Sequence, residues 1–277
     1  MNLCTACILD SRLLACELFR LDEVGGSVQR YFLNEADING NMVTISGDDF
    51  HHIARVMRMG PGERIITVKG NGMTAIAEIS EITDDAVIGT VTEWKNEEKE
   101  LPVRVVIASG LPKGDKLEYI VQKGTELGAV EFIPFIAARS VVKWDHKKVG
   151  KKLERLQKIS KEAAEQSHRT VIPAIKEPMT ADQLAGYATG FDHKLIAFEE
   201  EAKRGETSVL ASVLKDITAG QSILFVFGPE GGLADKEIEK LTDAGFMACG
   251  LGPRILRTET APLYALSAVS YHVELLR

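Results

Sequence analysis

From residue 103 onward, short apolar, β-branched runs alternate with stretches of helical periodicity, and this alternation limits the fold more than any other feature of the chain. The runs lie at 103–109, 130–136, 172–175, 194–198, 222–227 and 247–251. Helical patterns fall at 116–128, 147–168, 235–245 and 261–276. Strands separated by helices run in one direction, so the pattern predicts a parallel sheet covered by helices on both faces.

Residues 29–100 read differently. Extended stretches at 29–34, 42–46, 64–69, 73–81 and 86–94 follow one another closely, separated by Gly, Asn and Asp turns. One helix is expected, capped by Asp48 or Asp49, running through Phe50, His51, His52, Ile53, Val56 and Met57, and stopped by Gly60-Pro61-Gly62. One of the two histidines is expected to pack between this helix and the strands. Such close strand spacing predicts a small β-barrel, joined to the rest by a charged link at 95–100. The expected division is therefore 28–100 and 101–277, and 277 residues suit about two domains.

Residues 1–27 do not share this patterning. They hold three of the four cysteines, Cys4, Cys7 and Cys16. The Cys4/Cys7 spacing suits a metal, but no second Cys or His pair follows it, so no metal is expected. Acidic and basic residues interrupt the segment's apolar stretch, which argues against a signal peptide. It is expected to be a non-native, upstream-translated extension, with the native start near Val28. The cysteine usage predicts a reduced, cytoplasmic protein. No apolar run approaches the roughly 20 residues of a membrane span.

Thirty-three basic and forty acidic residues give a net charge of −7, but the charge is uneven. Residues 29–100 carry seven basic and thirteen acidic residues. Between Arg139 and Lys161, nine Lys or Arg face only Asp145 and Glu154. That run attracts phosphates or forms a solvated helix face.

Two glycine-bearing turns follow the last apolar runs. One is Gly228-Pro229-Glu230-Gly231-Gly232 and the other runs from Leu251 to Thr260. Ligands of open parallel sheets bind beyond the carboxyl ends of the strands, where these turns stand. Neither turn is G-x-G-x-x-G. Gly110-Leu111-Pro112-Lys113-Gly114-Asp115-Lys116 lacks the order of a P-loop.

The string Phe227-Gly228-Pro229-Glu230-Gly231-Gly232, followed by Leu251-Gly252-x-Arg254-Ile255-Leu256-Arg257-x-Glu259-Thr260-Ala261, resembles the SPOUT methyltransferases and, within them, the RsmE family. Arg30-Tyr31-Phe32, His51-His52-x-x-x-Val56-x-Arg58, Lys123-x-x-Glu126-Leu127-Gly128, Arg139-Ser140 and Glu165-Gln166-Ser167-x-Arg169 carry the resemblance across 29–277. It implies an α/β protein with an N-terminal PUA-like β-barrel and a C-terminal domain tied in a trefoil knot. It also implies S-adenosylmethionine in the knot loops, methylation of N3 of uridine 1498 in small-subunit ribosomal RNA, and a homodimer. The RNA would be met free or in the assembled 30S particle. His168 departs from the family pattern, which commonly has a small residue there.

On this resemblance the cofactor pocket comprises Phe198, Phe227, Gly228, Glu230, Gly231, Gly232, Leu251, Gly252, Arg254, Ile255, Leu256, Thr260 and Ala261. Glu230 caps the following helix in the alternative reading. Uridine N3 is protonated at neutral pH, so its methylation needs a base or a cation that stabilises the uridylate anion. Arg257 suits the cation and Glu259 the base or the orienter of Arg257; the alternative is a structural ion pair between them. Arg30, Arg55, Arg58, Lys113, Lys116, Arg139, Gln166 and Arg169 are the candidate RNA contacts. The face Leu263, Leu266, Val269 and Val273 forms either a dimer interface or ordinary packing on the sheet. Other classes consistent with the sequence are a ribose 2′-O-methyltransferase and a non-catalytic RNA-binding assembly factor.

Overall fold

The computed structural model describes residues 29–198 and 209–276. The extension at 1–27, with its three cysteines, lies outside the described residues.

The first unit is one curled sheet. Its strands are β1 (Arg30–Leu33), β2 (Ile38–Asn39), β3 (Met42–Ser46), β4 (Arg64–Lys69), β5 (Met73–Ile82), β6 (Ala86–Val91) and β7 (Lys95–Asn96). They run in the order β1-β4-β5-β6-β3-β2, with β7 on β5. β1 and β4 are parallel and the other pairs antiparallel. A bulge between Ile79 and Glu81 helps curl the sheet. Alternate side chains (Val43 and Ile45; Ala75, Ala77 and Ile79) point inward to a core completed by Tyr31, Ile65 and Ile53. The expected helix is α1 (Gly47–His51), continued by a wider turn over His52–Met57. It ends at Arg58, whose φ is +54°, before the Gly-Pro-Gly sequence is reached. His52 is the histidine that packs, 3.0 Å from the Tyr31 hydroxyl, whereas His51 is exposed.

The second unit is the expected parallel sheet, of β8 (Arg104–Gly110), β9 (Glu131–Phe135), β10 (Ala174–Ile175), β11 (His193–Ala197), β12 (Ser222–Phe227) and β13 (Met247–Cys249). The order is β10-β9-β8-β12-β11-β13 and every pair is parallel. Every residue of β12 is buried, because both sheet faces are covered. Val105, Ile107, Phe225 and Phe227 face one core; Val106, Ala108, Leu224 and Val226 face the other. The covering helices are α2 (Lys116–Glu126), α3 (Val149–Gln166), α4 (Ala181–Tyr187), α5 (Val209–Asp216), α6 (Asp235–Asp243) and α7 (Thr260–Ser270). A wider turn, Tyr271–Leu275, continues α7. α4 and α5 were absent from the sequence expectations. Among the described residues no helix is long and apolar enough to cross a membrane.

Of the four residues of the expected apolar face, Leu266, Val269 and Val273 are buried in the sheet core and Leu263 is half-buried, so the buried three are packing on the sheet. The opposite face exposes Tyr264, Tyr271 and Leu275.

Candidate active site

Strand order reverses between β8 and β12, and the end of β11 and the turns after β12 and β13 come together on that side. They enclose a cleft of about 720 Å³. Ala197 and Phe198 come from the end of β11, Phe227 to Leu233 from β12, and Leu251 to Thr258 from β13. The two glycine-bearing turns therefore converge. Phe198, Phe227, Gly228, Glu230, Gly231, Gly232, Leu251, Gly252, Arg254, Ile255, Leu256 and Ala261 all line the cleft. Thr260 does not; its N–H donates to the Arg257 carbonyl, starting α7. The sequence reading missed Ala197, Leu233, Asp235 and Thr258, whose only signal was nearness in sequence to residues it named.

The glycines serve two different ends. A Cβ at Gly110, the end of β8, would sit 2.4 Å from the Pro229 nitrogen, and one at Gly231 would sit 2.9 Å from the Arg139 carbonyl oxygen. These positions let backbone cross backbone. Gly232 and Gly252 have φ of +70° and +93°, which favours glycine. A Cβ at Gly232 would meet nothing within 4 Å, and one at Gly252 only the Tyr264 hydroxyl at 3.9 Å. Bare backbone thus borders the cleft from both turns. Apolar Leu251, Ile255 and Leu256 beside it suit a flat ring, so the residues present fit a nucleoside-bearing cofactor.

One ammonium joins the two turns. Lys116 Nζ, in the first turn of α2, lies 3.1 Å from Glu259 and 3.4 Å from Glu230. Glu230 also accepts the Lys113 N–H at 3.2 Å. It does not cap α6, whose first N–H, from Ala234, is met by Glu237. Although partial burial pushes the Glu230 carboxyl up, backbone N–H donors and Lys116 hold it below the ordinary range. Glu259 is held low by its own backbone N–H, then by Lys116 and by the charge of Arg257. The alternative reading, an Arg257–Glu259 ion pair, does not form among the described residues. Arg257 lines the cleft, exposed, with no ion pair among the described residues. Arg139 reaches the same cleft from the segment after β9. Lys116 is not a free phosphate contact, because two carboxylates neutralise it.

The remaining RNA candidates scatter. Arg30 and Arg169 are 2% and 3% exposed, so neither is available to phosphate. Arg30 donates to Glu97 at 3.0 Å and to the Arg169 carbonyl at 3.2 Å. Arg169 donates from Nε to Glu100 at 3.0 Å and from Nη1 to the Thr125 carbonyl at 3.1 Å. Burial turns both cations from phosphate contacts into internal pins: Arg30 reaches from the first unit to the Arg169 carbonyl, and Arg169 holds the link through Glu100 and its own unit through the Thr125 carbonyl. Gln166 lines a different cleft, of about 1000 Å³, between α1 and α3. Arg55 and Arg58 are exposed on the turn after α1, and Lys113 is exposed beside the cofactor cleft.

Comparison with known proteins agrees with this geometry. A family model described as RNA methyltransferase domain matches residues 99–270, and one described as RNA methyltransferase PUA domain matches 45–92. The chain is 53% identical over 253 residues to ribosomal RNA small subunit methyltransferase E of Bacillus subtilis (strain 168), covering 90% of this chain and 99% of that one. A crystal structure of a hypothetical protein, 50% identical, matches with a TM-score of 0.82 over 90% of this chain and 100% of that one. The Neisseria gonorrhoeae ribosomal RNA small subunit methyltransferase E, solved bound to S-adenosyl methionine, is 29% identical. It matches with a TM-score of 0.76 over 88% of this chain and 97% of that one. With its curled sheet, its parallel sheet and two glycine turns meeting in one cleft, the chain belongs to the ribosomal RNA small subunit methyltransferase E family.

Proposed function

We propose that this chain methylates N3 of a uridine, position 1498, in small-subunit ribosomal RNA, with S-adenosylmethionine as methyl donor. The observation that carries this reading is the convergence of the turns at 228–233 and 251–258 on one cleft bordered by bare glycine backbone. The cofactor-binding residues are those of the sequence reading that line the cleft, from Phe198 to Ala261, on the knotted path that family membership implies.

When bound, the cofactor supplies the electrophilic methyl group. The chain's own residues hold and orient. Leu251, Ile255 and Leu256 provide apolar walls, and Lys116 fixes the turns against each other through Glu230 and Glu259. Arg257 stabilises the uridylate anion that forms as the N3 proton leaves, since a guanidinium keeps its charge at any working pH. Glu259 is a positioning residue for Lys116. A carboxyl held below its ordinary range is a poor acceptor for the N3 proton. Arg139 meets the RNA at the cleft mouth. The target base must leave its stack to enter.

The enzyme works in the cytoplasm as a homodimer, on the ribosomal RNA or the 30S particle. The exposed stripe Tyr264, Tyr271 and Leu275, at helical spacing, supports a self-association face.

Small ribosomal subunits from a strain lacking the protein, incubated with it and the cofactor, should gain one methyl on a uracil base by nucleoside mass spectrometry. A methyl on ribose would refute the reading. Arg257→Ala should lower turnover at least a hundredfold, the scale of a lost transition-state donor. Cofactor affinity by calorimetry should stay within about twofold.

A further inference from the structure

The basic run at 139–161 divides on folding. Its carboxyl-terminal half is taken up by ion pairs to other parts of the chain. Arg155 is bidentate to Glu118 at 2.6 and 2.7 Å. Lys158 pairs with Asp48 at 2.7 Å and Lys161 with Asp49 at 2.6 Å. Its other half is not spent. Lys143, Lys147, Lys148 and Lys151 are exposed and have no ion-pair partner among the described residues. Asp145, the one acid within 143–152, accepts the Lys147 N–H and so caps the turn before α3.

An aromatic ring lies among these cations. Trp144 is half-buried, and the Lys152 ammonium stands 5.1 Å from its ring centroid. Behind the indole is a cavity of about 240 Å³, walled by Leu111, Leu117, Val142 and Leu156, with Lys152 and the Glu118–Arg155 ion pair also on its lining. That is smaller than the roughly 300–1,000 Å³ of sites for whole ligands, and it suits one flat ring. The cavity and the cofactor cleft share their neighbouring segments. Residues 111–117 give Leu111 and Leu117 to the cavity and Lys116 to the cleft; residues 139–144 give Val142 and Trp144 to the cavity and Arg139 to the cleft.

We infer that Trp144 and the cavity behind it receive one unstacked nucleobase flanking the methylated uridine, with its phosphates held by Lys143, Lys147, Lys148 and Lys151. This rests on the proposed RNA substrate and assigns it a second contact point. Aromatic faces accept any base, so the site holds the strand without reading its sequence, while the cations follow the backbone. Lys152 leaves the ring for a phosphate when the base enters. The charge needed for RNA thus comes from ten residues of the second unit, although the whole chain carries −7.

The test uses the full chain and its own fluorescence. The protein has two tryptophans, Trp94 and Trp144, so Trp94→Phe isolates the second. A single-stranded, uridine-rich RNA of roughly twelve nucleotides, added without cofactor, should quench it. Polyglutamate, which has the charge but no rings, should not. Trp144→Leu keeps apolar packing and should bind the RNA about tenfold more weakly. Replacing Lys147, Lys148 and Lys151 together with Gln, all on the surface, should lower the slope of log K against log salt by about 2. With small ribosomal subunits, both variants should raise KM and leave kcat and calorimetric cofactor affinity unchanged. An unquenched Trp144 on RNA that the protein does bind, equal quenching by polyglutamate, or an unchanged salt slope would each overturn the inference. The RNA readings need no methyl transfer, so they remain decisive even if the wild-type protein transfers none.

Discussion

His168 holds a conformation that its side chain opposes. Its φ is +57°, at the end of α3, where the Arg169 N–H turns back to the Ala164 carbonyl at 2.9 Å. A left-handed residue after a helix is normally glycine, since a Cβ there costs about 1–2 kcal/mol. His168→Gly should therefore raise the unfolding free energy by about 0.5–1 kcal/mol in urea titration, after glycine's greater unfolded-state entropy is deducted. The sequence marked His168 as unusual but not why, because a backbone angle is not written in a residue name. Lys116 illustrates the same limit. It stood among the candidate RNA contacts, yet its partners lie 114 residues away at Glu230 and still further on at Glu259.

Among the elements, those with a strong local signal were legible. β12 and β3 have the expected bounds, and α2, α3 and α6 end within two residues of expectation. α4 was missed although Thr180 and Gln183 form a capping box before it, with Thr180 N–H donating to Gln183 at 2.9 Å. Its seven residues carry too short a periodic pattern to stand out. The glycine turns were legible as turns, but the close crossings that require them were not. Gly231→Ala would drive a Cβ against backbone at Arg139, which cannot swing aside as a side chain does. It should weaken cofactor binding at least tenfold by calorimetry and cost about 1–3 kcal/mol of stability, the range for overpacking. Gly150→Ala, where a Cβ meets nothing within 4 Å, is the control and should do neither.

Across the whole molecule, the acidic link at 95–100 proves to be the fastening between the two units. Glu97 holds Arg30 and Glu100 holds Arg169, while the Arg30 guanidinium also reaches the Arg169 carbonyl. Burial pushes the Glu100 carboxyl up, but Arg169 and the Thr170 donors outweigh it and hold the group below its ordinary 4.5. Folded protein then binds fewer protons than unfolded chain. The stabilisation is full above pH 4.5 and is lost as pH falls through the lowered folded value. Glu100→Gln should cost about 3 kcal/mol at neutral pH, since it strands a buried guanidinium. Its urea midpoint should also vary less between about pH 5 and 3 than that of the wild type.

Periodicity and turn residues, which act over a few neighbours, determined the order of strands and helices and placed both glycine turns beyond the last strands. Only the tertiary structure decided which charges stay available. Arg155 meets Glu118 across 37 residues, Lys161 meets Asp49 across 112, and Arg30 meets the Arg169 carbonyl across 139. Coulombic and hydrogen-bond energies depend on distance in space. The same lysine is therefore a phosphate contact or an internal pin according to which carboxylate the fold brings beside it.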